Sequence, residues 1–145
     1  MKVCSDHSIL VRMSLGEHIV VTLFGESHGP AVGALIDGMP PNIDIDPEQL
    51  IADMVARRPG SGLASKRKET DDVEILSGVN AGKTTGMPIL LLIRNRDVKS
   101  KDYSFLPYQP RPGHVDHPIS VKTGGAADLR GGGSFSARLT AGLVA

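Results

Sequence analysis

Between Arg111 and Arg138 the chain gathers the side chains of a site that handles anions. Arg111-Pro112-Gly113-His114-Val115-Asp116-His117-Pro118 is followed by Asp128-Leu129-Arg130-Gly131-Gly132-Gly133-Ser134-Phe135-Ser136-Ala137-Arg138. Planar guanidinium groups bind phosphates and carboxylates bidentately. An imidazole beside them, with an ordinary pKa near neutrality, can protonate an anion as it departs. The glycine triplet lets the backbone take positive φ and approach a ligand closely, and Ser134 can then cap a helix whose free N–H groups face an anion. A Gly-rich turn with a cap is the plainer reading of the glycines alone. With His114 between Gly113 and Asp116, the expected ligand is a phosphorylated, anionic small molecule.

Three other patterns suggest chemistry that their surroundings do not support. Gly25-Glu26-Ser27-His28-Gly29 fits the nucleophile elbow of serine hydrolases, but a helix must follow an elbow, and Pro30 with a strand-like Ala31 to Ile36 follows here. Gly78-Val79-Asn80-Ala81-Gly82-Lys83-Thr84 has three residues between its glycines where a P-loop needs four, so a hairpin turn is the better reading. His114-x-x-His117 with Asp116 offers metal-ligating side chains, yet Pro118 is expected to break the helix that would set their geometry, and no third strong ligand stands at a recognisable spacing.

Around these residues the sequence predicts mixed α and β structure. Glu17 to Phe24 and Ala31 to Asp37 are β-branched and apolar, two neighbouring strands around the Gly25 to Pro30 turn. Asp46 as cap, Pro47 in the first turn and Glu48 at the positive end start a helix. Leu50, Ile51, Met54 and Val55 form its apolar stripe, and it should stop at Arg58 before Pro59-Gly60. Without further context, Arg57-Arg58 at its end is ordinary dipole chemistry. Lys66-Arg67-Lys68 belongs to a polar loop. Val73 to Leu76 and Met87 to Arg94 read as strands joined through Gly78 to Gly86, the second apolar on both faces and therefore central. Asn95 to Pro118 shows no period and is expected to be a functional loop. Phe135 to Ala145 has helical spacing and no closing cap, so it reads as cut through a helix.

Composition narrows the classes. With 145 residues one core is possible, and with 16 basic against 16 acidic side chains no global field draws the chain to nucleic acid or anionic lipid. No Trp and three Phe supply few stacking platforms for single strands. One cysteine excludes an internal disulfide and a Cys-based metal site, which favours a reducing, cytoplasmic setting. No apolar run has the length of a membrane span. Residues 1–12 match nothing periodic and are expected to be an N-terminal appendage, with Met13 an alternative start.

Taken in order, Gly25-Glu26-Ser27-His28-Gly29-Pro30, Arg57-Arg58-Pro59-Gly60, Glu74-Ile75-Leu76-Ser77-Gly78, Ile93-Arg94-Asn95-Arg96-Asp97, Ser100-Lys101-Asp102-Tyr103, Arg111-Pro112-Gly113-His114-Val115-Asp116 and Arg130-Gly131-Gly132-Gly133 resemble chorismate synthase at that family's spacing. The resemblance covers Met13 to Ala145 and implies that 13–145 is the N-terminal part of a longer domain. It implies an α+β fold, helices sandwiched between antiparallel sheets, and a homotetramer at full length. The implied reaction is the anti-1,4-elimination of phosphate from 5-enolpyruvylshikimate 3-phosphate, the last step of the shikimate pathway, with reduced FMN and NADPH as a possible reductant. Residue by residue, it implies His114 as the acid for the leaving phosphate and His28 beside the reduced flavin. Ser134, Phe135 and Ser136 align with an FMN-contacting segment, and Arg57 with an arginine assigned to NADP. Arg111, Arg138 and Arg58 are the substrate-anion candidates. The chain departs from the family where many members carry Arg-Ser-Ser after the glycines, and at Leu63, near which many have a second NADP-linked arginine. The aspartate implied to relay the ring proton lies in the family's C-terminal half. Two alternatives accompany this reading: an inactive anion- or flavin-binding fragment of such an enzyme, and, remotely, a serine hydrolase acting through Ser27.

Overall fold

Ile89–Arg94 is apolar at successive positions, and in the computed structural model, which describes residues 13–57, 72–95, 100–106, 108–133 and 145, it takes an interior place in the sheet. Strands β1 (Ser14–Leu15), β2 (Val20–Gly25), β3 (Ala31–Asp37) and β4 (Val73–Ser77) join it, with β5 (Val79–Asn80) and β6 (Lys83–Thr84) apart and Ile89–Arg94 as β7. The order β1-β2-β3-β7-β4 is antiparallel throughout, with Val32 opposite Ile93 and Ile36 opposite Ile89. Strand side chains alternate between faces. Val32, Ile36, Ile89, Leu91 and Ile93 therefore make one buried face, with Val21, Val73 and Ile75 packed against it.

Helix α1 (Pro47–Arg57) covers that face through Met54, 2% exposed, and Leu50. Its start is as the sequence predicts: Asp46 Oδ1 accepts from the backbone N–H groups of Glu48 and Gln49 at 2.9 and 3.2 Å. The expected stop at Arg58 falls just outside the described residues.

The hairpin reading of Gly78 to Thr84 holds. β5 and β6 pair antiparallel across Ala81-Gly82, whose φ values of 48° and 76° suit a tight two-residue turn. Thr84, buried at its end, donates its hydroxyl to Pro40 O at 2.6 Å and accepts from Ile43 N–H at 2.9 Å, fixing the hairpin to the chain before α1.

Three expectations need correction. Glu17 to Ile19 is an exposed bend and not strand, because Gly16, at φ 100°, turns the chain back so that β1 can pair with β2. Asn95 to Pro118 is not without structure: it contains a 3-10 turn, Ser100–Tyr103, and the start of helix α2 (Asp116–Lys122). Pro118 does not break α2, since it is the third residue, within the turn whose N–H groups have no intrahelical acceptor. The elements amount to an α+β fold built on antiparallel sheets.

Candidate functional site

The β2–β3 connection carries Ser27 and His28, both 7% exposed. Its shape is set by a turn, Gly29 N–H to Glu26 O at 3.0 Å, and by Asn95 at the end of β7. The Asn95 side-chain amide donates to Glu26 O at 2.9 Å and Gly29 O at 2.8 Å, while its backbone N–H donates to Pro30 O at 3.1 Å. The pairing of Ala31 with Arg94 places Asn95 where it can do so.

From the far end of the chain, the glycine triplet closes on this loop. Ser27 N–H and Ser27 Oγ both donate to Gly133 O at 3.0 Å. Gly131, at φ 58°, lies so near the imidazole that a Cβ there would stand 3.0 Å from His28 Cδ2 and 3.1 Å from Nε2. On another side Tyr103 meets His28 edge to face, centroids 4.8 Å apart at 82°. Ser27 is thus hydrogen-bonded to a carbonyl and followed by strand β3, which removes the setting a serine nucleophile requires.

Tyr103 also leads to the second histidine. The Arg111 guanidinium carbon lies 5.5 Å from the Tyr103 centroid. Arg111 holds Asp116 through Nε to Oδ2 at 2.8 Å, Nη2 to Oδ1 at 2.6 Å and backbone N–H to Oδ2 at 2.9 Å. Nη2 also donates to Leu129 O at 2.7 Å, and Nη1 bonds to none of the described residues. His114 Nδ1 stands 2.9 Å from Asp116 Oδ1, with its side chain 34% exposed.

The electrostatics follow from this pairing. Hydrogen bonds from the Arg111 side chain hold the Asp116 carboxyl far below the usual carboxylate range against the opposing effect of burial, and the charges of Arg111 and His114 add to it. The same hydrogen bonding raises Arg111. Asp128 is likewise lowered, chiefly by hydrogen bonds from Arg130, which grips it through Nε at 2.9 Å and Nη2 at 2.6 Å. The His28 charge contributes to that lowering in a smaller way. Among the described residues no group of three or more His, Cys, Asp or Glu could hold a metal ion.

Of the residues singled out in the sequence, His28, Arg111 and His114 are brought into one chain of contacts. Arg57 is the last residue of α1. Arg58, Ser134, Phe135, Ser136 and Arg138 lie outside the described residues, as does the expected helix of Phe135 to Ala145 apart from its last residue. Tyr103 and Asn95 were present in the quoted motifs but had no role there, and Asp116 was weighed only as a metal ligand beside His114 and His117. Their signals, a tyrosine in a polar segment and an Asp two residues after a His, are too common to single them out.

A sequence model of the chorismate synthase family matches residues 19–145. The chain is similar to the chorismate synthase of Aeropyrum pernix, 54% identical over 134 residues that make up 92% of this chain and 35% of the relative. It is similar to that of Thermococcus kodakarensis at 49% over 129 residues, 89% of this chain and 36% of the relative. A solved structure described as a crystal structure of chorismate synthase superposes with a TM-score of 0.55 at 27% identity, covering 88% of this chain and 31% of that one. The chain thus spans about a third of the length of the curated relatives it matches. No helix among the described residues is long and apolar enough to cross a membrane.

Proposed function

The chain belongs to the chorismate synthase family, and from that premise we propose that it serves the elimination of phosphate from 5-enolpyruvylshikimate 3-phosphate, as a carbon–oxygen lyase of aromatic amino-acid biosynthesis. The reading is carried by one observation: an imidazole, His114, with one nitrogen on a buried carboxylate and part of its ring open, next to an arginine that shares that carboxylate.

In the proposed reaction the ring C–O bond to phosphate and a ring C–H bond break. The C–H electron pair ends in the new diene, the ring hydrogen departs as a proton and phosphate leaves with the C–O pair, so nothing is oxidised overall. His114 gives a proton to the leaving phosphate, a role worth about 10²- to 10⁴-fold. Nη1 of Arg111, with Arg58 and Arg138, binds the substrate's anionic groups.

The residues present suit a reduced flavin at His28. The ring is buried between Tyr103 and the Gly131 backbone, which comes so near that a Cβ there would stand 3.0 Å from Cδ2 and 3.1 Å from Nε2. Ser134, Phe135 and Ser136 would hold FMN and Arg57 a nicotinamide reductant. When bound, reduced FMN supplies electron density that is returned at the end of the cycle. An imidazolium at His28 favours an anion beside it. A cytoplasmic setting and a homotetramer belong to the same proposal.

A second reading is a chain that binds anions or flavin without turnover. Anaerobic incubation with reduced FMN and 5-enolpyruvylshikimate 3-phosphate separates the two. Release of chorismate and phosphate, lowered about 10²- to 10⁴-fold by His114→Gln, is the expected result. Flavin binding without phosphate release would select the second reading.

A further inference from the structure

The first residue of α2 is a carboxylate with 1% of its surface exposed, and four donors converge on it. Oδ2 accepts from the backbone N–H and Nε of Arg111; Oδ1 faces Nη2 of Arg111 and Nδ1 of His114. With two guanidinium nitrogens on it, this group is an ionised carboxylate, and an ionised carboxylate only accepts. The 2.9 Å contact with Nδ1 therefore requires the hydrogen to sit on Nδ1. A neutral imidazole has two tautomers, and its second hydrogen bond selects between them. Here the selection leaves Nε2 as the nitrogen that takes up and gives away a proton.

We infer that Asp116 is a positioning residue: it locks His114 in the Nδ1–H form with Nε2 free for proton transfer, and through Arg111 and Tyr103 ties that imidazole to the pocket of His28. Its value to catalysis rests on the reading of His114 as the acid for the leaving phosphate, whereas the tautomer itself does not. The lock is directional. An amide in place of the carboxylate can present one oxygen and one NH₂ to donors that all need acceptors, so His114, with one contact against three from Arg111, gives way. Where a carboxylate orients a catalytic imidazole in this manner, its replacement by an amide costs about 10⁴-fold in kcat.

The test begins on the unaltered chain. Long-range ¹H–¹⁵N correlation spectra above neutral pH, with the His114 signals identified by their loss in His114→Gln, should show a pyrrole-type Nδ1 and a pyridine-type Nε2. The reverse pattern, or one averaged over both tautomers, would overturn the inference. In Asp116→Asn the Nδ1–H signature should be lost, and phosphate release should fall by about 10²- to 10⁴-fold in kcat with KM little changed. A folded Asp116→Asn chain that keeps the signature would overturn it as well, and if that variant does not fold, the unaltered spectrum decides. An Nδ1–H signature in a chain that releases no phosphate supports the positioning role and counts against the catalytic reading instead.

Discussion

The sheet and the cluster at its end are built from different forces. Val32, Ile36, Ile89, Leu91, Ile93 and Met54 form a buried group with no titratable member, held by apolar burial between strands that neighbour one another. The cluster buries a histidine and a carboxylate and is held by hydrogen bonds, two Arg–Asp pairs and ring contacts that reach from Ser27 to Gly133. Apolar packing is non-directional and indifferent to pH. The cluster depends on charge and angle, which suits it to chemistry and makes it the more easily disturbed part. Stability should therefore reside in the sheet, and pH sensitivity and proton transfer in the cluster.

Equal substitutions of glycine in the two regions sharpen this contrast, and the sheet should show the larger effect. A Cβ on Gly33, in the middle of β3, would stand 2.2 Å from Leu91 O and 2.5 Å from Phe24 Cζ. The first is backbone of the neighbouring strand, and it cannot move without parting β3 from β7. Gly33→Ala should cost about 3 kcal/mol, read as a lower urea midpoint at unchanged slope. A cost below about 1 kcal/mol would mean that the sheet yields more readily than its packing implies.

Acid should separate the regions next. Asp116 and Asp128 are both held below their ordinary value of 3.8 by their arginines. A depressed carboxylate contributes stability that is present above its unfolded pKa and is lost as pH falls through the folded one. The loss therefore begins below about pH 4 and grows by at most about tenfold per pH unit for each proton taken up. Amide exchange in Asp116–Lys122 should quicken on that slope while Ala31–Asp37 and Ile89–Arg94 stay protected. Simultaneous loss of protection in both would show that the cluster and the sheet open as one unit.

The same contrast explains what could be read from the sequence. β3, β4 and β7 carry their own apolar patterns, and Asp46-Pro47-Glu48 announces α1, so most of the sheet, a hairpin within Gly78 to Thr84 and the helix start were legible, whereas the two-residue β1 was not. The cluster was legible as a set of residue types. Its geometry was not, because Asp116 meets Arg111 five positions earlier in an irregular loop, and Ser27 meets a carbonyl 106 positions away. Neither spacing belongs to any regular period. Pro118 misled because a proline stops a helix only beyond its first turn. Glu17 to Ile19 misled because an apolar run cannot show that Gly16 has already turned the chain.

Gly131 offers the smallest change in stability and the most specific one in the site. At φ 58° an alanine costs about 1–2 kcal/mol in backbone strain. Its Cβ would also meet His28 Cδ2 at 3.0 Å, Nε2 at 3.1 Å and Ser27 Cβ at 3.1 Å, so the imidazole must give by a few tenths of an ångström. Among the described residues the ring packs edge to face against Tyr103 at 4.8 Å, which connects it to Arg111 and from there to Asp116 and His114. Gly131→Ala should therefore lose about 1–2 kcal/mol in a urea titration, shift the ring signals of His28 and Tyr103, and leave the amide signals of β3 and β7 in place. If the Tyr103 signals stay fixed while those of His28 move, the two histidines are not mechanically joined and each half of the cluster must be treated alone. If the amides of β3 and β7 move as well, the division between a rigid sheet and a separately adjustable cluster fails.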